Sequence, residues 1–334
     1  MKHQSALFLI VVAICLSGCL PKPSQDTTSP TPTPAVEVKL DIQRLQEANL
    51  VKATFSKDGK TLESLEALAP LTMNDLAGLE TETGLLQLDL RQSGLKADII
   101  PRLSAMTKLR TLRMSGEIGD EGFEAIDRLT GLRTLALDRS NISDKALDSI
   151  AKCDGLQELL LTGTKITDQG VKKLQSLTGL KRLRVSENAL TDDCAELFAS
   201  LTQLNDIDLS GTEFGDKTIV SISQLSELKK LNLYQTKITD ACMDDLIKLT
   251  NLTWLNIDKN DLTDDAIAKL EHFPHLEWLH LGRTKMTDKS LEILIGMKTL
   301  KEVHVTNTEV TSEGVENLKK MKPDCIIHEN ASLP

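Results

Sequence analysis

Aromatic residues are scarce: two Trp, one Tyr and six Phe make up only 3% of this 334-residue chain. A core with so few rings must be built mainly from leucine and isoleucine, which suits a thin, regular architecture better than a thick globule. Basic charge is also short, with 39 Lys and Arg against 49 Asp and Glu and a formal charge of −10. Phosphate backbones are held chiefly by clustered lysine and arginine, so no nucleic-acid partner is expected. The six cysteines contain no Cys-x-x-Cys, which argues against a redox motif or a zinc ribbon. Catalytic signatures are missing as well: there is no Gly-x-Ser-x-Gly, no phosphate-binding Gly-rich loop with Lys-Ser/Thr, and no His-Glu-x-x-His. The sequence therefore gives no reason to expect an enzyme or a cofactor.

The N-terminus reads as an export signal. Lys2 and His3 lead into an apolar run at residues 6–16, too short for an ordinary bilayer-spanning helix. The run ends in Leu16-Ser17-Gly18-Cys19, which resembles the lipobox of bacterial lipoproteins. That resemblance implies removal of residues 1–18 and lipidation of Cys19. Acyl chains contribute about 0.8 kcal/mol per buried methylene, enough to hold the protein on a membrane. Leu20 rather than Asp follows the cysteine, which by the lipoprotein sorting pattern implies the outer membrane of a bacterial cell envelope. Residues 20–36 hold five of the ten prolines, so 19–36 is expected to be a lipidated, Pro/Thr-rich stalk reaching up to about 50 Å in polyproline geometry.

Beyond the stalk one pattern dominates. Leu-x-x-Leu-x-Leu, with occasional Ile, Val or Met substitutions, starts at Leu85, Leu109, Leu132, Leu156, Leu180, Leu204, Leu228, Leu252, Leu276 and Leu300, a spacing of 24 with one step of 23. Alternation such as Leu159 and Leu161 around a polar neighbour marks a short strand with one buried face. A small polar residue follows at a fixed place (Thr164, Asn188, Thr212, Thr236, Asn260, Thr284), and then a pair such as Thr167-Asp168 or Thr287-Asp288. The aspartate column runs Asp120, Asp144, Asp168, Asp192, Asp216, Asp240, Asp264, Asp288, with Ser312 in the last copy. Thr and Asp here are expected to begin helices, accepting hydrogen bonds from free amides, rather than to bind metal. Apolar residues at three-residue steps, as at Val171, Leu174 and Leu177, form the inner side of a short helix.

In register over about 240 residues, this pattern resembles the leucine-rich repeat, and the Thr-Asp-x-Gly and short helix resemble its ribonuclease-inhibitor-like class. The resemblance implies an α/β solenoid, a right-handed horseshoe with parallel strands on the concave face and short helices outside. The expected organisation is an N-terminal cap with a degenerate repeat at 37–84, ten repeats at 85–323, and a C-terminal cap strand and tail at 324–334. Within the cap, helix is expected at 41–50, strand at 51–55, a turn at Asp58-Gly59 and a degenerate copy at 62–79. Cys194 and Cys242 share a column two coils apart, about 10 Å, which is beyond disulfide reach.

Outward-facing strand positions are free of the demands of the core, so their identities are the informative ones. One exposed column reads Asp89, Arg113, Ala136, Leu160, Arg184, Asp208, Asn232, Asn256, His280, His304; its neighbour includes Arg182, Asp206, Lys230, Trp254, Trp278 and Glu302. Both tryptophans thus fall in one column, with the sole tyrosine one coil earlier. Rings supply much contact area at little entropic cost, so Asn232, Tyr234, Trp254, Asn256, Asp258, Trp278, His280 and His304 are the expected recognition site. Resemblance to leucine-rich repeats implies a protein or peptide ligand; envelope carbohydrate or peptidoglycan is the alternative. Stacked His280 and His304 with Asn256 make a poor ligand set, so no metal is assigned to them.

Overall fold

The computed structural model describes residues 39–329. Cys19, the signal and the stalk expected before residue 37, and the tail at 330–334, lie outside the described residues. The described chain opens with a short helix, Ile42–Glu47, capped by Asp41, whose carboxylate accepts from the Arg44 amide. A hairpin follows: β1 (Val51–Phe55) runs antiparallel to β2 (Leu62–Ala67), turning at Gly59 with φ +71°. Then come eleven three-residue strands, one per coil: β3 (Gln87–Asp89), β4 (Thr111–Arg113), β5 (Thr134–Ala136), β6 (Glu158–Leu160), β7 (Arg182–Arg184), β8 (Asp206–Asp208), β9 (Lys230–Asn232), β10 (Trp254–Asn256), β11 (Trp278–His280), β12 (Glu302–His304) and β13 (Ile326–His328). They form a single thirteen-stranded sheet in sequence order, parallel from β2 onward. Among the described residues no helix is long and apolar enough to cross a membrane.

Each coil buries the same places. The middle residue of every strand from β3 to β12 (Leu88, Leu112, Leu135, Leu159, Leu183, Ile207, Leu231, Leu255, Leu279, Val303) is at most 1% exposed, and so are nearly all the leucines that open the repeats. These side chains stack into one apolar spine that runs from Leu40 to Leu318. A single coil has too little core to offset its chain entropy, so burial between coils is what makes the fold possible. One place departs from the expected pattern: Ala136 is buried, not displayed, because its methyl lies in register between the longer Arg113 and Leu160.

Where the chain leaves the strand, the small polar residue closes the turn. Asn188 donates from Nδ2 to the carbonyls of Leu161, Val185 and Ser186, and its Oδ1 accepts from the amide and hydroxyl of Thr164 one coil back. Asn260 repeats this with Leu233, Ile257, Asp258 and Thr236. Thr212 and Thr284 do part of the task, each donating to the carbonyl three residues before it. Just ahead of this place the backbone enters the left-handed region once per coil, at Arg139, Gly163, Glu187, Gly211, Gln235, Lys259, Arg283 and Asn307.

The aspartate column works differently from the expectation. Ser143 and the threonines other than Thr167 do cap their own helices, as Thr191 does for Asp193 and Thr287 for Lys289. Each aspartate instead reaches the next coil. All eight carboxylates accept from the amide that begins the following helix, at 2.7–2.9 Å: Asp120 from Ser143, Asp144 from Thr167, Asp168 from Thr191, Asp192 from Gly215, Asp216 from Thr239, Asp240 from Thr263, Asp264 from Thr287 and Asp288 from Thr311. The amide at a helix start has no partner within its own helix, so a carboxylate from the neighbouring coil both satisfies it and ties two coils together. Ser312 stands where the described chain offers no further helix start to receive.

This ladder also explains the residue two places after each aspartate. A Cβ at Gly170 would lie 2.1 Å from Asp144 Oδ1, and one at Gly314 would lie 2.4 Å from Asp288 Oδ1. Where a side chain is present it is small or donates: the hydroxyls of Thr218 and Ser290 bond Asp192 and Asp264, and the thiols of Cys194, which donates to the Thr191 carbonyl, and Cys242 lie beside Asp168 and Asp216. The shared column of Cys194 and Cys242 is thus a column of carboxylate neighbours, and the thiols at 153, 194, 242 and 325 are all free.

Candidate functional site

The parallel, in-register sheet places like positions side by side, with Trp254 against Trp278, Asn232 against Asn256, and His280 against His304. The two indoles stack face to face, centroids 4.3 Å apart and planes 7° from parallel. His304 continues the row at 5.1 Å from Trp278, His280 lies 4.5 Å from His304, and His328 on β13 stacks on His304 at 4.0 Å and 8°. Five rings from four adjacent strands therefore form one surface at the C-terminal end of the sheet, His328 exposed and the other four half-buried. In this way the structure brings together Trp254, Trp278, His280 and His304 as the sequence predicts.

Tyr234 belongs to the same surface through Arg283, whose guanidinium carbon lies 5.3 Å from the tyrosine ring centroid. A cation over a ring face gains from the ring's quadrupole. Asn232 and Asn256 face the sheet surface half-buried, but their side-chain oxygens are committed locally, accepting from the amides of Tyr234 and Asp258 at 3.1 Å.

Asp258 requires a correction. It is 1% exposed rather than displayed, and its carboxylate receives Arg283 in a forked pair, Nε to Oδ1 at 2.9 Å and Nη2 to Oδ2. His280 Nε2 approaches the same carboxylate at 3.6 Å. A buried carboxylate is tolerable only when charge-paired and hydrogen-bonded, so Asp258 holds Arg283 and His280 in place instead of touching a ligand. Burial pushes His280 below the usual imidazole range against the pull of Asp258, and burial does the same to His304 against Glu302. Both rings are consequently neutral near pH 7.

Beside Trp254 the sheet surface carries a shallow recess of ≈ 200 Å³ lined by Arg182, Arg184, Asp206, Asp208, Lys230 and Asn232. Its arginines and aspartates are paired along the ladder: Arg182 Nε lies 3.3 Å from Asp206, and Arg184 Nε 3.2 Å from Asp208. The face of Trp254 not covered by Trp278 borders this recess.

Sequence reasoning missed three participants. Arg283 reads as a turn residue, and only its left-handed backbone, φ +51°, and the buried Asp258 explain its position. Glu302 stood in an exposed column with no assigned task. His328 lies past the last Leu-x-x-Leu-x-Leu copy, yet it stands 24 residues after His304 as His304 does after His280, a signal that continuing the register would have exposed.

A family description, leucine-rich repeat region, matches residues 61–317. The chain belongs to the leucine-rich-repeat family. Among solved structures it is similar to an internalin of Listeria monocytogenes at 22% identity and TM-score 0.58, over 81% of this chain and 87% of that one. It is also similar to a structure described as a TDR receptor, at 16% identity and TM-score 0.54, over 81% of this chain and 50% of the other. A leucine-rich-repeat protein of Leptospira interrogans aligns at 18% identity over 75% of this chain and 74% of its own, with TM-score 0.48. No curated protein matches by sequence. These likenesses speak to the fold. In general, leucine-rich repeats are scaffolds for protein–protein interaction.

Proposed function

We propose that this leucine-rich-repeat protein is a non-enzymatic receptor that captures a protein or peptide on the sheet face of its C-terminal coils, displayed on a bacterial envelope through acylated Cys19. The observation that carries the reading is the half-buried indole stack of Trp254 and Trp278 on the sheet face, which the spine does not need and which borders a recess with charges of both signs. Stacked rings are rigid, so they lose little entropy on binding, and desolvated indoles are frequent energetic anchors of interfaces. Paired Arg and Asp beside an indole suit a chain with charged side chains, because each can exchange an internal partner for an external one. For envelope glycan, the alternative ligand, one open indole face is available, that of Trp254.

The test is crosslinking of native envelopes followed by mass spectrometry, with the full chain and a Trp254→Ala/Trp278→Ala variant side by side. Loss of two anchors is expected to weaken the partner by at least about 2 kcal/mol, or about 30-fold, while thermal unfolding changes little. Equal capture by both forms refutes the site; binding to a glycan array with no protein captured moves the assignment to carbohydrate. The anchor is tested separately: an acyl label should enter the full chain and not its Cys19→Ala form.

A further inference from the structure

We propose that Glu302, His304 and His328 form a binding site for one transition-metal ion of the Zn²⁺ type, open toward the sheet face. The Nε2 atoms of His304 and His328 each lie 3.1 Å from the same oxygen, Glu302 Oε1. One ligand atom from each residue falls within 4.8 Å of the other two. Zinc bonds to imidazole nitrogen and carboxylate oxygen run at about 2.0–2.2 Å, so tetrahedral ligands sit about 3.3–3.5 Å from one another. Both His–Glu separations are near that edge length before any ion arrives. Two imidazoles and one carboxylate are moreover a donor set that zinc uses with a further position left to water or an incoming group.

The placement of these groups is fixed rather than incidental. His304 and Glu302 are two residues apart on β12 and so emerge on the same face, and His328 is held opposite His304 by the β12–β13 register. Trp278 pairs with Glu302 in the β11–β12 register, so the indole stands beside the carboxylate. His280 is not part of the set, since its Nε2 is directed at Asp258. His304 and His328 stack face to face with Nε2–H directed at Glu302. On binding, each ring turns toward the ion, loses its Nε2 proton to solvent, takes one up at Nδ1 and gives the Nε2 lone pair to the metal, so no redox step or co-reactant is needed.

The adjacency of Trp278 and Glu302 supplies a direct readout, because Trp254 and Trp278 are the only tryptophans in the chain. Zn²⁺ titrated into the metal-free full chain should give one ion per chain by calorimetry, with a change in tryptophan emission that saturates at the same ratio. Glu302→Gln and His328→Ala should each weaken binding by at least about 10- to 100-fold, with circular dichroism unchanged. A His272→Ala/His275→Ala control, which removes histidines outside the cluster, should bind as the parent does. No heat and no emission change up to about 1 mM Zn²⁺ overturns the proposal, and so does binding that survives both cluster variants or is lost in the control. Because the probe is the metal alone, this outcome is independent of whether a protein partner is found.

Discussion

The inter-coil aspartate ladder makes its sharpest prediction at Asp264. Its Oδ1 accepts from the Thr287 amide at 2.8 Å and from the Ser290 hydroxyl, and its Oδ2 accepts from the Thr287 hydroxyl at 2.7 Å. Asp264→Ala removes all three. Hydrogen bonds to a charged group contribute about 1.5–3 kcal/mol each in favourable settings, and an amide left without a partner costs about 1–3 kcal/mol. Asp264 and Thr287 are only half-buried, so water replaces part of what is lost. The expected cost is therefore about 2–3 kcal/mol. Asp264→Asn keeps an oxygen for the Thr287 amide and forfeits the charge and one acceptor, for about 1 kcal/mol. A control is at hand in Asp261, whose ion pair with Lys285 lies on the surface and whose replacement by Ala should change stability by less than about 0.5 kcal/mol. Urea unfolding followed by tryptophan emission measures all three, since Trp254 and Trp278 flank Asp264 in sequence. The pH dependence has a definite sign. Burial raises the Asp264 pKa, but the hydroxyl of Ser290 and the amide and hydroxyl of Thr287 outweigh it and hold it below the ordinary aspartate range. Its contribution is fully present above the unfolded value and disappears as pH falls through the lower folded one. The gap between parent and Asp264→Ala should thus be flat above about pH 5 and narrow below about pH 4. An Asp264→Ala loss under about 0.5 kcal/mol, or an Asn variant as damaging as the Ala variant, would refute the ladder as a coupling device.

Three further outcomes follow from the same geometry. Asn260→Ala strands three carbonyls and the Thr236 amide and should cost at least about 3 kcal/mol in urea unfolding, while Asn260→Thr should recover part of it, since Thr212 and Thr284 serve at the same place. Burial pushes the Cys153 thiol up to about 12, and those of Cys194 and Cys242 up as well, the latter two with a neighbouring aspartate charge in support; iodoacetamide at pH 8 should label Cys325 first and reach the other three only on unfolding, as mass mapping can verify. Gln235→Gly relieves a left-handed backbone, φ +53°, at an exposed position and should stabilise the chain by up to about 1 kcal/mol despite the added entropy of the unfolded state, whereas Gly211→Gln in the same column should do the reverse.

The spine was legible in the sequence because period and burial coincide: a leucine every two or three residues, repeated every 24, leaves one way to hide them all. Strands β3 to β12 fall where Leu-x-x-Leu-x-Leu places them, and the cap elements Ile42–Glu47 and Val51–Phe55 fall within their expected segments. The aspartate column was visible, but its destination was not. A side chain at a helix start has free amides on its own helix and, in a stack, on the next one as well; which it reaches depends on the separation between coils, a quantity that no single repeat encodes. Asp258 was misjudged for a related reason. A strand-flanking position looks displayed until a long residue from the next coil, here Arg283, folds back over it.

The wall's chemistry follows from this separation of tasks. Since the central strand residue, the turn residue and the aspartate ladder satisfy the core and most of the backbone, the two outward residues of a strand carry little structural duty beyond local bonds such as those of Asn232 and Asn256, and can serve a ligand. A parallel ladder in register then sets each residue beside its counterpart one coil away, so a ring in one coil changes the worth of a ring in the next. Trp254 on Trp278 and His304 on His328 are such pairs, and Arg182 with Asp206 and Arg184 with Asp208 are their charged equivalents. Transplanting the row one coil toward the N-terminus, by Lys230→Trp with Trp278→Lys, should therefore preserve an indole stack, now between positions 230 and 254. It should also place an ammonium group, in place of the indole, beside Glu302. Partner capture that survives this exchange while zinc affinity falls by about tenfold would separate the two sites; loss of both together would mean that the indole row and the Glu302–His304–His328 cluster act as a single surface.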